Sequence, residues 1–303
     1  MRRKVTLHGP ATLSVSLPLQ WARKRGVKKG DELDVVEQKG GLVISANEPI
    51  TPEKKMEIHV KDVDNFLKRM FFVPYAHGCT EIKVTFDDKK VINKVENVLE
   101  MMMGFEMTEQ GKNYCIVKQV ANANGEEFEP VLNRIFISNK AVMTELLELI
   151  NSDDYEKLRA LSLSELTNNR LVYFCLRLLT LQGYKDPYYT GCLYYVILTL
   201  EEIADDLRDI CTWIADNKLK LHKSVAELLY RVTVFYDEIY KLHNSYNQER
   251  LVSLRKQIID FYTDVKEQIR HGGKEAIVLG YIMKIADDIS NISKELKYET
   301  SIK

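Results

Sequence analysis

The tetrapeptide Ile-Ala-Asp-Asp occurs at residues 203–206 and again at 285–288, 82 positions apart, each time within a long helical pattern. A motif repeated at that distance constrains the fold, because it divides the carboxyl-terminal half into two like units. From about Leu132 onward, apolar residues recur at steps of three and four. The pattern is interrupted near Ser152–Asp154, Gly183–Pro187, Asp216–Lys218, Asn244–Asn247 and Gly272–Gly273. Six helices are expected, in two groups of three, over 132–217 and 218–303.

The residues around the first copy carry chemistry. On the helix expected over 187–215, Leu200, Ile203, Leu207, Ile210 and Ile214 form the core stripe. Glu201 and Asp205 lie opposite Ile203, and Glu202, Asp206 and Asp209 lie to one side. Arg208 is the only cation between Leu193 and Asp216. Like charges at four-residue spacing repel by roughly 0.2–0.5 kcal/mol per pair, so an ordinary solvated face would interleave Lys or Arg. Two readings stand. The face is either acidic surface neutralised by solvent or a neighbouring helix, or a site for a hard cation such as Mg, Mn or Fe. No His falls in either copy, which argues against zinc and against a ferritin-like di-iron centre. The second copy is poorer, with Met283 where Glu201 stands and Asp287, Asp288 and Asn291 remaining. The helix before each copy offers a four-residue polar pair, Glu165 with Asn169 and Asp260 with Asp264.

The other end of the chain has the opposite charge. Of a formal net charge of −1, residues 1–30 contribute eight cations and no Asp or Glu: Arg2, Arg3, Lys4, Arg23, Lys24, Arg25, Lys28 and Lys29. A basic end on an acidic body points to a polyanionic partner, here double-stranded DNA. The plainer reading is that these cations favour a helix C-terminus and solubility. Residues 1–50 read as a β-rich module. Leu13, Val15 and Leu17 alternate with Ser14 and Ser16 as in a half-buried strand, Pro18 opens a short helix that Gly26 ends, and a hairpin turns across Lys39, Gly40 and Gly41. So short a module buries little alone and is expected to form a homodimer. Asn47–Pro52 reads as a linker. Residues 53–131 read as a small α+β domain with a helix break at Pro74 and a hairpin near Gly111. That domain has neither a Walker loop nor a dinucleotide fingerprint, and no organic cofactor is expected.

Five cysteines, Cys79, Cys115, Cys175, Cys192 and Cys211, are scattered without CxxC spacing and read as reduced thiols. The most apolar run, 192–200, is too short to span a membrane and leads into Glu201 and Glu202. The basic start is not followed by an apolar signal segment. A cytoplasmic protein without membrane insertion is expected.

Residues 15–37, VSLPLQWARKRGVKKGDELDVVE, resemble the swapped-hairpin DNA-binding module of AbrB/SpoVT-type regulators. The helical part resembles PhoU, the phosphate uptake regulator, through LEEIADDLRDI at 200–210, with SELTNNR and IIDFYTD at the positions of that family's other acidic pairs. The resemblance implies a multidomain, mainly α protein: an intertwined AbrB-like dimerisation module, a small α+β domain and two tandem PhoU-like three-helix bundles. It also implies metal-binding acidic motifs, Glu201, Asp205 and Asp209 with Glu165 and Asn169 in the first bundle, and Asp260, Asp264 and Asp287 in the second. The implied function is a DNA-binding transcriptional regulator of phosphate uptake. The alternative is an adaptor that acts by protein contacts on phosphate transporter components or a kinase, with the amino-terminal module only dimerising. A metalloenzyme is disfavoured, since neither copy supplies a base or nucleophile in a recognisable triad.

Overall fold

The computed structural model describes residues 2–38, 41–46, 54–61, 66–121, 127–150, 152, 154–270 and 272–296. The chain divides into two compact units, Met1–Lys54 and Lys55–Lys303.

The first unit is two separate ribbons and one short helix. Strands β1 (Val5–Leu7) and β2 (Leu13–Val15) pair antiparallel, as do β3 (Leu33–Gln38) and β4 (Gly41–Ala46). Helix α1 (Leu19–Lys24) lies between the ribbons in sequence and ends at Gly26, whose φ of +70° is the left-handed conformation a helix stop calls for. The expected linker at 47–52 and the hairpin turn at Lys39–Gly40 lie outside the described residues. None of the unit's described side chains is buried: Leu13 is 71% exposed, Leu7 69% and Leu42 64%. Of the expected Leu13–Leu17 alternation, Leu17 is half-buried while Leu13 and Val15 are exposed within one chain. Two-stranded ribbons have no layer of their own to cover them.

The second unit begins with a four-stranded mixed sheet in the order β5 (Lys55–Val60), β6 (Glu81–Phe86), β8 (Tyr114–Gln119), β7 (Phe105–Gln110). β5 and β6 are parallel and joined through α2 (Phe66–Ala76), while α3 (Val91–Leu99) connects β6 to β7. Residues 62–65, just before α2, lie outside the described residues. Pro74 does not break α2. It sits in the last turn, where a helix is ending anyway, and its carbonyl accepts from Cys79 N at 2.9 Å.

Seven helices follow among the described residues: α4 (Phe128–Leu149), α5 (Tyr155–Ser162), α6 (Ser164–Gln182), α7 (Thr190–Asn217), α8 (Lys223–Asn244), α9 (Gln248–Ile269) and α10 (Glu275–Ile292). Every expected interruption coincides with a helix boundary. Asp154 and Asn247 cap α5 and α9 by accepting from Lys157 N and Arg250 N, and Gly183 with φ +71° ends α6. The unanticipated break is at Leu163, which splits one expected helix into α5 and α6. There Ser162 Oγ turns back to the Arg159 carbonyl at 2.7 Å, a local bond that competes with the helix ladder. Leu163 itself is 63% exposed, so no packing holds a continuous helix through it.

Helix α7 is central. It packs against α4, α5 and α6 on one side and α10 on the other, and α10 also meets α8 and α9. The expected stripe Leu200, Ile203, Leu207, Ile210 and Ile214 is wholly buried. So are Val196, Ile197, Cys211 and Ala215, because the helix has partners on more than one face. Cys79, Cys115, Cys175 and Cys211 are buried and free, and Cys192 is free and half-buried. The sheet domain is tied to α6 by Arg177, buried to 1%. Its Nη1 donates to the carbonyls of Tyr75 (2.6 Å) and Cys79 (2.9 Å), its Nη2 donates to Gln119 Oε1 (2.6 Å), and the guanidinium lies over the Tyr75 and Phe105 rings. Among the described residues no helix is long and apolar enough to cross a membrane.

Candidate functional site

The carboxylates of α7 separate into two clusters because the helix presents them to different neighbours. Glu201 and Asp205 turn toward α6, where Glu165 lies in the first turn and Asn169 one turn on. Asn169 Nδ2 donates to Glu165 Oε1, and Glu165 shares a side-chain hydrogen bond with Asp205. Burial raises the pKa of Glu165, Asp205 and Glu201. The Glu201 carboxyl is pushed up to about 7, with Asp205, Glu202 and Glu165 adding to the effect of burial. Arg208 closes this cluster. Its Nη1 lies 2.7 Å from Asp205 Oδ1 and 3.5 Å from Glu165 Oε1, and its Nε donates to Asp209 Oδ1 at 2.9 Å.

Two features of this cluster come from the tertiary fold. The sheet domain forms one side of it: Lys68 of α2 acts on Glu165, and Phe72 of α2 stacks on Tyr173 of α6 at 4.2 Å. The Tyr173 hydroxyl in turn bonds Glu201. Asn169 is 8% exposed, yet its Oδ1 has no partner, and the 2% exposed Asn168 has neither amide atom paired. Asn168 lines a cavity of about 10 Å³, also bounded by Ser138, Ser162, Ser164, Glu165 and Arg208 at the α5–α6 break. That is room for about one water.

The second cluster lies between the two Ile-Ala-Asp-Asp copies. Lys284 of α10 reaches Glu202 Oε2 (2.9 Å) and Asp206 Oδ1 (3.0 Å) of α7. Asp206 is 2% exposed, its Oδ2 is unpaired, and burial, opposed by Lys284, moves its pKa up to about 6. Asp288, the matching residue of the second copy, also has an unpaired buried oxygen. Burial and then Asp206 push its carboxyl up to about 7. Buried carboxylates with spare lone pairs carry a desolvation cost that a single ammonium offsets in part.

Of the expected cation-binding residues, the fold brings together Glu165, Asn169, Glu201 and Asp205, and Arg208 links Asp209 to them. It does not bring Asp260 and Asp264 to Asp287. Both are exposed, and Asp264 pairs with Arg231 of α8 at 2.6 Å. The residue of α9 that meets Asp287 is Tyr262, through its hydroxyl. Tyr262 lies two positions from each aspartate, about 200° round the helix. Among the described residues, no group of three or more His, Cys, Asp or Glu is arranged to hold a metal ion. Asp206, Asp288, Lys284, Tyr173 and Lys68 were not singled out from the sequence as site residues. One signal for the first three was available: Lys284 stands where the first copy has Glu202, opposite charges at equivalent positions of two copies that pair.

The eight expected DNA-contacting cations lie in the first unit. Arg2, Arg3, Lys4, Arg23, Lys24, Lys28 and Lys29 are exposed and Arg25 is half-buried. Arg23 and Lys24 occupy the last turn of α1, where cations suit the helix dipole. Arg3 Nη1 reaches Ser16 Oγ at 3.5 Å across the β1–β2 ribbon. Comparison of this chain with protein-family models, with curated proteins and with solved structures finds no match in any of the three.

Proposed function

We propose that this chain is a DNA-binding regulator of phosphate uptake. In this reading the amino-terminal unit holds DNA as a homodimer, and the helical part is two tandem three-helix bundles, one ending in α7 and the other in α10. The observation that carries it is the character of the first unit: eight cations, no buried described side chain, and strand leucines left open to solvent. Such a unit gains a core by pairing with a second copy, and the pair then carries a continuous positive surface suited to phosphates. The cluster of Glu165, Asn169, Glu201 and Asp205 serves as a cation site. Its oxygen-only donors suit Mg, Mn or Fe(III) better than zinc, and the unpaired Asn169 Oδ1 is a spare donor beside three carboxyls.

Fluorescence anisotropy with fragments upstream of phosphate-transport genes, and a scrambled control, tests the DNA reading across a salt series. Specific binding with a steep salt slope is expected, and Arg23→Glu with Arg25→Glu abolishes it. A folded dimer that gives flat curves for every fragment rejects it in favour of an adaptor working through protein contacts. For the cation, elemental analysis of protein purified without chelator is expected to show bound metal. Glu201→Ala with Asp205→Ala loses it, and equal content in both proteins rejects this site.

A further inference from the structure

We infer that Arg208 is a resident counter-cation of the first acidic cluster, and that a divalent metal ion binds there by displacing its guanidinium. The inference rests on the cation-site reading above and adds to it the residue that sets affinity.

The geometry leaves little room for both. Arg208 Nη1 lies 2.7 Å from Asp205 Oδ1 and 3.5 Å from Glu165 Oε1, while Nε holds Asp209 at 2.9 Å. An ion such as Mn²⁺ or Mg²⁺ takes up a position about 2.0–2.2 Å from the same carboxylate oxygens, within the space of that nitrogen, and two cations so close repel. Among the described residues the carboxylates hold no ready-made group of three ligands. The cluster nonetheless has more acceptors than Arg208 satisfies. Asn169 Oδ1, in a side chain more than nine-tenths buried, has no partner and lies beside Glu165. Glu201 is bonded by Tyr173 and receives no bond from Arg208. These oxygens, with Glu165 and Asp205 once Arg208 leaves, are a four-donor set from two helices. Arg208 is about one-third exposed, so its head has a route to solvent.

Mn²⁺ titrations of the full-length protein, read by water-proton relaxation and by calorimetry, test this on wild type, Arg208→Gln, Arg208→Lys and Arg208→Gln with Glu201→Gln. Arg208→Gln is expected to bind Mn²⁺ at least tenfold more tightly than wild type. Arg208→Lys keeps the charge and stays within about threefold of wild type, and Glu201→Gln cancels the gain. Thermal melts without metal provide a second measure: Arg208→Gln melts lower than wild type, and Mn²⁺ raises its midpoint more than it raises that of wild type. Wild type and Arg208→Gln binding Mn²⁺ with equal affinity overturns the role of Arg208 and leaves the cation site standing. No Mn²⁺ bound by any variant overturns the cation site itself. Should Arg208→Gln fail to fold, Arg208→Met takes its place under the same criteria.

Discussion

The two helices share the Ile-Ala-Asp-Asp tetrapeptide and differ in what surrounds it. In the first copy the flanking residues are acidic, Glu201, Glu202 and Asp209, and the cluster facing α6 is closed by Arg208 of the same helix. In the second copy the flanking residues are Met283, Lys284 and Asn291, and its exposed aspartate, Asp287, is covered by a tyrosine. The second copy thus carries less acid, and a cation that serves the first, since Lys284 neutralises Glu202 and Asp206 across the α7–α10 interface. At one equivalent position of the two like helices, Glu202 against Lys284, opposite charges form a bond between them.

The largest effect is expected from removing that bond. Lys284→Met leaves the buried Asp206 with Glu202 and Asp288 and no counter-ion. The expected loss is roughly 2–3 kcal/mol, below the ~3–5 kcal/mol of a fully buried pair because the ammonium is half exposed. In thermal melts that is a shift of roughly 5–10 °C. Adding Asp206→Asn to Lys284→Met recovers much of it, because the amide needs no counter-charge. A double-mutant cycle with no coupling between Lys284 and Asp206 contradicts the assignment.

Acid acts on carboxyls of both copies. Glu201, Asp206 and Asp288 have folded-state pKa values raised to about 7, 6 and 7, above their ordinary values of 4.5 and 3.8. A carboxyl raised in this way binds its proton more tightly when folded. Its cost to stability is absent below the unfolded value, grows as pH rises, and is complete above the folded one. Stability in denaturant melts should therefore rise as pH falls from 8 to about 6. Glu201→Gln with Asp288→Asn should flatten that rise, and cation binding should weaken over the same interval as protons compete. A profile of unchanged slope in the double variant removes these groups from the account.

The smallest effects separate the two tyrosines. Tyr173→Phe removes a hydroxyl from a half-buried ring bonded to Glu201, at an expected cost of about 1 kcal/mol together with a change in cation affinity. Tyr262→Phe acts at the exposed Asp287, costs less than about 0.5 kcal/mol and leaves cation affinity unchanged. Equal effects on cation affinity would mean that the two copies have not diverged in role.

The helix periodicity was legible because burial imposes a 3.6-residue period that sequence records directly. Gly183, Asn247 and Asp154 marked their ends for conformational and capping reasons that need no partner. The break at Leu163 was not legible, since no Gly or Pro marks it and Ser162 competes with the ladder only weakly. Glu165 with Asn169, and Glu201 with Asp205, were readable as pairs because four-residue spacing fixes each pair's face, and only the resemblance implied that the two pairs meet. Asp260 and Asp264 satisfied the same spacing and point elsewhere, because spacing says which residues share a face and not which helix that face meets.

What the sequence determined by itself is local: helix and strand periods, end signals, a basic amino terminus and an acidic repeat. Each follows from interactions a few residues long. Only the tertiary structure decided that α7 is buried on two sides, so that Asp206 meets Lys284 and Asp288 while Asp205 meets Glu165. Likewise, Lys68 and Phe72 reach the first cluster because α2 of the sheet domain packs against α6. A carboxylate's chemistry depends on which charges and how much water lie within a few ångströms, and that neighbourhood is set by residues 40 to 102 positions away.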